Sequence, residues 1–216
     1  DDIAYGEAGN DTLLGATGYD TLEGGEGEDL IDGGDGNDTL RGGNARDFLI
    51  GGVGLDDLRG DAGNDVMQAG DGTDTLTDTE GRNLMQGQDQ ADTLIGGLEA
   101  GIFIGDQGDD VITTGEGADL LLFNRGDDRD TVLASSGQDN TVSLGGGIKY
   151  EDIALSKTGN DLVLELGGAI VDVPSVAVPE LVRETVGGKP VFAANLAIPA
   201  GGASIREIQK LLGPEI

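Results

Sequence analysis

Apolar residues recur at every ninth position along the first half of the chain. The thirteen positions are Leu13, Leu22, Ile31, Leu40, Leu49, Leu58, Met67, Leu76, Met85, Leu94, Phe103, Ile112 and Leu121. A unit of nine residues is too short to bury an apolar face alone, so such units stack on copies of themselves. The pattern predicts thirteen consecutive units over residues 6–122, each a tight turn followed by a very short strand.

An acidic residue stands two positions before the apolar residue in eleven of the thirteen units. These residues are Asp11, Asp20, Asp29, Asp38, Asp47, Asp56, Asp65, Asp74, Asp92, Asp110 and Asp119. Stacking the units places these carboxylates above one another. Stacked carboxylates repel, so the pattern indicates that the folded chain requires a cation.

The acidity is concentrated in the repeats. The 216 residues carry a formal net charge of −30, with 33 acidic and 6 basic residues in 1–142 against 9 and 6 in 143–216. High charge with only 3% aromatic residues is typical of disorder, so the regular period indicates a fold that forms when the charge is neutralised. Nucleic acids and anionic membranes would be repelled, and divalent cations are the expected partners.

Several kinds of chemistry are disfavoured. The chain has no Cys and no His, which removes disulfides, thiolate chemistry and the commonest general base. Its carboxylates belong to the repeat pattern, and we expect no catalytic activity. The sequence contains no run of about 18 apolar residues, so it predicts no membrane span. Since the sequence begins at Asp1 without Met or a signal-like segment, we expect a fragment or a processed piece.

The regular register ends at Phe123, and the composition changes near residue 145. Asp128 keeps the eighteen-residue spacing from the previous acid of its stack, whereas Asp130 keeps the two-residue spacing to the apolar residue that follows. The two are therefore alternative candidates for closing the last site. Beyond them we predict strands at 162–166, 169–173 and 191–198, and a short helix at 204–212. We therefore predict two regions: the repeats at 1–144, and a β-rich segment at 145–216 that caps the open end of the stack.

The units resemble a known repeat. Residues 24–32 read GGEGEDLID and residues 33–41 read GGDGNDTLR, similar to the G-G-x-G-x-D-x-U-x nonapeptide of RTX (repeats-in-toxin) proteins, also called haemolysin-type calcium-binding repeats. Residues 145–167 resemble the segment that often follows these repeats in exported bacterial proteins. The first resemblance is dense over residues 6–122 and looser over 123–142.

The resemblance implies an all-β fold, a parallel β-roll (a right-handed β-solenoid) in which two units make one turn of eighteen residues. It also implies several Ca²⁺ ions between loops one turn apart, held by carboxylates and by turn carbonyls. Carboxylates in this role would be those of Asp11, Asp20, Asp29, Asp38, Asp47, Asp56, Asp65, Asp74, Asp92, Asp110, Asp119, Asp128 and Asp130. Carbonyls would come from turn glycines, including Gly24, Gly33, Gly42, Gly51, Gly27, Gly36 and Gly54. Hard oxygen ligands of this kind suit calcium.

Since alternate units lie on opposite sides of a β-roll, the acids form two stacks. One stack runs from Asp20 to Asp110 without interruption, whereas the other meets Asn83 and Gly101 after Asp65. We expect a nearly continuous calcium column on one side and an interrupted one on the other, with Asn83 still lending one neutral oxygen. A further expectation is strain in the turns where Ala45, Gln90 and Glu99 replace the fourth-position glycine.

The resemblance implies a module of a secreted or cell-surface bacterial protein, exported by a type I secretion machinery and folded by extracellular calcium. One alternative is a structural or adhesive block of a surface layer, fibre or large adhesin, associating through residues 169–178 and 190–198. Another is the non-catalytic tail of a secreted enzyme, where the partner is another domain of the parent protein. None of these readings involves nucleic acid or membrane insertion.

Overall fold

The computed structural model describes residues 1–133, 140–145 and 148, together with the main chain of five strands between residues 153 and 192. The fold is an all-β parallel solenoid of about eight turns, and the described part of the chain contains no helix. The fold class predicted from the repeat, a β-roll, is confirmed.

Successive units of the solenoid alternate between two parallel sheets. The first sheet contains β1 (Ile3–Ala8), β3 (Thr21–Glu26), β5 (Thr39–Asn44), β7 (Asp57–Ala62), β9 (Thr75–Thr77), β11 (Thr93–Ile95), β13 (Val111–Thr113) and β15 (Thr131–Leu133). The second contains β2 (Thr12–Leu14), β4 (Leu30–Asp35), β6 (Phe48–Gly54), β8 (Val66–Gly72), β10 (Leu84–Asp89), β12 (Ile102–Gln107), β14 (Leu120–Phe123) and β16 (Thr141–Leu144). Neighbouring strands pair eighteen residues apart, as Leu22 with Leu40.

The core is a single ladder of apolar side chains between the two sheets. All thirteen periodic residues belong to it, and apart from Leu13, which is 7% exposed, each is no more than 2% exposed. Adjacent strand positions point outward because side chains alternate across a strand. With about 1.5–3 kcal/mol for each fully buried aliphatic side chain, this thin core must stabilise a chain that also contains 41 glycines.

The turns between strands bring successive loops into close main-chain contact. Gly36 has φ +139°, and a Cβ built on it would overlap the carbonyl oxygen of Gly18, one turn earlier. A non-glycine residue there would need both a disfavoured backbone and a shift of the neighbouring turn. The glycine of the repeat therefore fixes the spacing between loops, which is also the spacing between the acids that follow them.

The register changes at the end of the array. Val111 pairs with Thr131, twenty residues later, and Leu120 with Thr141, twenty-one residues later. β17 (Ile153–Thr158), β18 (Asp161–Leu166) and β19 (Ala169–Val173) then form an antiparallel meander joined to the first sheet, where Asp172 pairs with Thr131. The strands predicted at 162–166 and 169–173 are thus confirmed.

A last antiparallel pair consists of β20 (Arg183–Val186) and β21 (Lys189–Phe192). Only the start of the strand predicted at 191–198 falls within β21, and its remainder and the helix predicted at 204–212 lie outside the described residues. In the part that the structure describes, no helix has the length and apolarity needed to cross a membrane. The division at residue 145 stays a prediction.

Candidate metal centre

Every aspartate at the sixth position of a unit lies between a turn and the strand that follows. From Asp20 onward, its Oδ1 accepts a hydrogen bond from the main-chain N–H of the equivalent residue one turn earlier, as Asp38 does from Asp20 and Asp56 does from Asp38, both at 2.8 Å. We call the stack that precedes the strands of the first sheet the even column. It contains Asp2, Asp20, Asp38, Asp56, Asp74, Asp92, Asp110 and Asp130.

The stack on the opposite side precedes the strands of the second sheet, and we call it the odd column. It contains Asp11, Asp29, Asp47, Asp65, Asn83, Gly101, Asp119 and Asn140. Asp65 donates its N–H to Asn83 Oδ1 at 2.8 Å, and Gly101 donates to Asp119 Oδ1 at 2.8 Å. The two stacks inferred from the sequence are therefore both present, and the second is interrupted where predicted.

In every column aspartate from Asp11 to Asp130, the second carboxylate oxygen is buried without a hydrogen bond. Thirteen Oδ2 atoms within the described residues share this condition, those of Asp11, Asp20, Asp29, Asp38, Asp47, Asp56, Asp65, Asp74, Asp78, Asp92, Asp110, Asp119 and Asp130. Buried polar atoms in proteins are normally paired, and an uncompensated buried carboxylate costs several kcal/mol. A row of such atoms indicates a positively charged ligand.

Main-chain oxygens converge on the same places. A Cβ built on Gly6 would lie 2.6 Å from the carbonyl oxygen of Gly24 and 2.7 Å from Oδ2 of Asp11. At Gly51 the corresponding atoms are the carbonyl oxygen of Ala69 at 2.5 Å and Asp56 Oδ2 at 2.6 Å. Each first-position glycine of this kind leaves a cradle beside its Cα, bounded by a carboxylate of its own unit and by a carbonyl of the next turn.

The predicted glycine carbonyls are placed accordingly. The carbonyl oxygens of Gly24, Gly33, Gly42 and Gly51 each face the first-position glycine one turn earlier. At the fourth position, the carbonyl oxygens of Gly36 and Gly54 face the glycine one turn later. Whether any of these oxygens binds a metal, Gly27 included, stays a prediction.

Burial and mutual repulsion make these carboxylates hard to ionise without a cation. Removal from water, together with the charges of neighbours in the column, raises the pKa of Asp47 to about 7, that of Asp56 to about 6 and that of Asp92 to about 8, although the hydrogen bond from the main-chain N–H lowers each pKa. Carboxylates on adjacent strands, about 4.8 Å apart, repel by about 3 kcal/mol at an effective dielectric constant of about 20. A divalent cation between them would reverse the sign of that interaction.

The donor set fits calcium. Among the described residues, no group of three or more acidic side chains is placed to hold a metal ion by itself. Each cradle instead combines carboxylate and main-chain oxygens, and calcium accepts six to eight such hard ligands in a flexible geometry. The residues present therefore suit Ca²⁺ between successive turns, provided that carbonyls complete the shell.

Of the two candidates for the end of the even column, the structure places Asp130 in the stack. Asp130 is buried, and its Oδ1 accepts the N–H of Asp110 at 3.1 Å. Asp128 is exposed, with φ +57°, outside the column. The two-residue insertion before β15 is accommodated in the preceding loop, which keeps the acid next to the strand aligned.

The interruption of the odd column begins at Asn83 and continues at Phe103. The only side-chain oxygen of Asn83 already accepts the N–H of Asp65, and its Nδ2 donates to the carbonyl oxygens of Glu80 and Gly81 at 3.1 and 3.4 Å. The amide of Asn83 thus occupies two turn carbonyls, and whether its oxygen also binds a metal stays a prediction. One turn on, the ring of Phe103 lies against Gly96 and Gly101, where other units have a carboxylate oxygen.

The strain predicted at the fourth position is present in two of three turns. Ala45 and Gln90 have φ of +78° and +79°, values that cost a side-chain-bearing residue roughly 1–2 kcal/mol. Glu99 does not adopt a positive φ, so the strain expected there is absent.

Sequence reasoning missed two members of the columns, Asp2 and Asn140, and one buried acid beside the odd column, Asp78. Asp2 and Asn140 extend the stacks by one position, and Asp2 could have been found by counting nine residues back from Asp11. Asp78 stands at the first position of a unit, where a search confined to sixth-position acids does not look.

Comparison with known proteins agrees with this geometry. The model of a family described as the RTX calcium-binding nonapeptide repeat matches the chain in four copies, at residues 5–40, 32–67, 68–103 and 99–130. The copies together span 5–130, which is more than half of the 216 residues. No curated protein matches the chain.

Proposed function

The chain belongs to the RTX calcium-binding nonapeptide repeat family, and from that premise we propose that it is a module of a secreted bacterial protein whose folding is switched by calcium. The observation that carries the proposal is the row of buried Oδ2 atoms without hydrogen-bond partners in both columns. Folding the described residues without a counter-ion would require these carboxylates to be protonated or to remain buried and charged, and both states oppose folding at neutral pH.

Calcium reverses this balance. In a low-calcium cytosol, repulsion among the acids keeps the chain extended, a state suited to passage through a type I export channel. Outside the cell, where calcium is about millimolar, ions bind the folded turns and their binding energy becomes folding energy. Extracellular calcium modules have dissociation constants of about 10⁻⁴–10⁻³ M, which is the range that such a switch requires.

The proposed ligands follow from the cradles. In the even column, the Oδ2 atoms from Asp20 to Asp110, closed by Asp130, hold one ion per gap together with first-position carbonyls such as those of Gly33 and Gly51. In the odd column, Asp11, Asp29, Asp47 and Asp65 act in the same way. Bound calcium would supply charge neutralisation and cross-link successive turns. We propose no role for Asp128.

The experiment is a calcium titration of the purified chain followed by far-UV circular dichroism. We expect a cooperative gain of β signal at sub-millimolar to millimolar calcium. Magnesium is the control, since it demands a small octahedral site and retains its water ligands, so it should produce little change at the same concentrations. A chain that is already fully folded in chelator would contradict the switch.

We propose no catalytic role, because the unpartnered buried carboxylates among the described residues all lie in the columns or, like Asp78, beside one of them. Residues outside the columns offer no specific support for the role of an enzyme tail. That alternative stays a prediction about the parent protein.

A structural role is the second candidate, and it rests on a difference between the two outer faces. Leu14 and Leu30 on the second sheet are 66% and 39% exposed, and Phe48 follows Leu30 in the same row. The equivalent positions of the first sheet include Thr21 and Thr39. The apolar row would pair with a second copy of the chain, in line with the occurrence of exposed apolar patches at interfaces.

Analytical ultracentrifugation in calcium tests this second candidate. Calcium-dependent dimers that are lost when Leu30 and Phe48 are both changed to Thr would favour the structural role. A strict monomer at high concentration would reject it.

A further inference from the structure

One unit of the odd column carries an acid at its first position. Asp78 stands where Gly24, Gly42 and Gly60 stand in earlier units of the same column, and its side chain is almost completely buried, with 1% exposure. A charged residue in this cradle would normally be excluded by the close approach of the neighbouring turn. Its presence requires a specific partner.

The carboxylate of Asp78 points at that of Asp65, one turn earlier. A Cβ built on Gly60 would overlap Asp78 Oδ2 and lie 2.6 Å from Asp65 Oδ2, so the two oxygens converge on the cradle of Gly60. In the preceding cradle of this column, at Gly42, the atom from the next turn is a main-chain carbonyl oxygen, that of Gly60 at 2.7 Å. A carboxylate has thus replaced a neutral ligand.

Both oxygens are held in place without being satisfied. Asp65 Oδ1 accepts the N–H of Asp47 at 2.7 Å, and Asp78 Oδ1 accepts the N–H of Glu80 at 3.2 Å. The Oδ2 atoms of Asp65 and Asp78 are buried and accept no hydrogen bond from the described residues. Two fixed acceptors that face each other away from water need a cation or a proton between them.

The same unit has lost its usual acid. Asn83 occupies the sixth position and turns its amide N–H groups toward the carbonyl oxygens of Glu80 and Gly81, which removes those oxygens from the following gap. The ring of Phe103 then fills the next cradle. The unit therefore directs the Asp78 carboxylate toward the preceding turn, whereas no acid is available between this unit and the following turn.

We propose that Asp65 and Asp78 form the terminal calcium site of this segment of the odd column, with the Asp78 carboxylate replacing a main-chain carbonyl as ligand. The inference rests on the proposed function, because it takes calcium as the ion in the columns. The ion at Asp65 and Asp78 would have two carboxylate ligands, whereas the neighbouring cradle offers one. It would be the last ion of this segment, because Asn83 and Phe103 interrupt the column at the turns that follow.

Asp78→Asn tests the site. The change keeps the shape and the hydrogen-bonding oxygen, and the new amide N–H can donate to Asp65 Oδ2. Calcium bound per chain is measured by equilibrium dialysis at saturating calcium, and stability is measured by urea unfolding at two calcium concentrations that both keep the chain folded. The matched control is Asp71→Asn, which removes the same charge from an exposed position nearby.

We expect Asp78→Asn to bind one ion fewer than the wild-type chain, with a loss of stability that grows with the calcium concentration. Asp71→Asn should bind the wild-type number, and Asp65→Asn should repeat the loss. Wild-type stoichiometry in Asp78→Asn overturns the inference and leaves the proposed function standing. A loss of stability that is the same at both calcium concentrations also overturns it, since that is the result for a structural carboxyl pair sharing a proton. A wild-type chain that binds no calcium overturns both.

Discussion

Asp56 lies in the middle of the uninterrupted column, so its replacement by Asn isolates the contribution of one calcium ion. Its Oδ1 accepts the N–H of Asp38 at 2.8 Å, and Asn retains this bond. Its Oδ2, buried beside Gly51 and the carbonyl oxygen of Ala69, becomes an amide N–H that cannot bind a cation. The variant therefore loses a ligand while the packing stays nearly unchanged.

The expected magnitude follows from binding linkage. With a dissociation constant of about 10⁻⁴ M, about 10 mM free calcium is about 100-fold above half-saturation, and loss of one ion removes about 2.7 kcal/mol of stability. Urea unfolding in calcium, followed by circular dichroism, measures this change. At a lower calcium concentration that still keeps the chain folded, the loss should be smaller, because the stabilisation by one ion falls with the concentration of free calcium.

The adjacent acid provides the control. Asp57 has a side chain that is 38% exposed and forms an ion pair with Arg59 at 2.9 Å, and exposed pairs of this kind contribute about 0.2–1 kcal/mol. Asp57→Asn should therefore cost less than about 1 kcal/mol, equally at both calcium concentrations. Equal losses for Asp56→Asn and Asp57→Asn in calcium would refute the reasoning.

Three further outcomes are expected. In chelator, any β signal in circular dichroism at about pH 5 should be lost as pH rises to about 8. The pKa values of Asp47, Asp56 and Asp92 are raised in the fold to about 7, 6 and 8, and the stability that protonation contributes is lost as pH passes through them. Apparent calcium affinity, measured by titration, should increase over the same interval. Ala45→Gly should raise the urea midpoint in calcium by relieving its φ of +78°, and a lowered midpoint would contradict this. Leu58→Ala should cost about 2–5 kcal/mol in urea unfolding, because Leu58 is fully buried in the apolar ladder.

The repeating part of the fold was predictable because its determinants are local and periodic. An apolar residue every nine positions leads directly to the ladder from Leu13 to Leu121, since only stacking can bury it. The acids two residues earlier then lie in two columns by the same geometry. No long-range information beyond the period was required.

The departures were not predictable, because each depends on contacts between turns. Counting alone could not choose between Asp128 and Asp130, and the choice follows from the twenty-residue register of β13 and β15. Phe103 fits the apolar period, but its ring also fills the cradle that Gly101 leaves without a carboxylate. Asp78 resembles a loop acid in the sequence, and only the stacked neighbour reveals that its carboxylate faces Asp65.

The most direct test of the calcium columns is anomalous diffraction from crystals of the calcium-loaded chain. Anomalous peaks should lie between successive carboxylates along the even column, next to Asp38, Asp56, Asp74 and Asp92. In the odd column they should continue through the gap between Asp65 and Asp78 and be absent at Phe103. Columns without peaks, or peaks confined to the exposed acids of the sheet faces, would contradict the account.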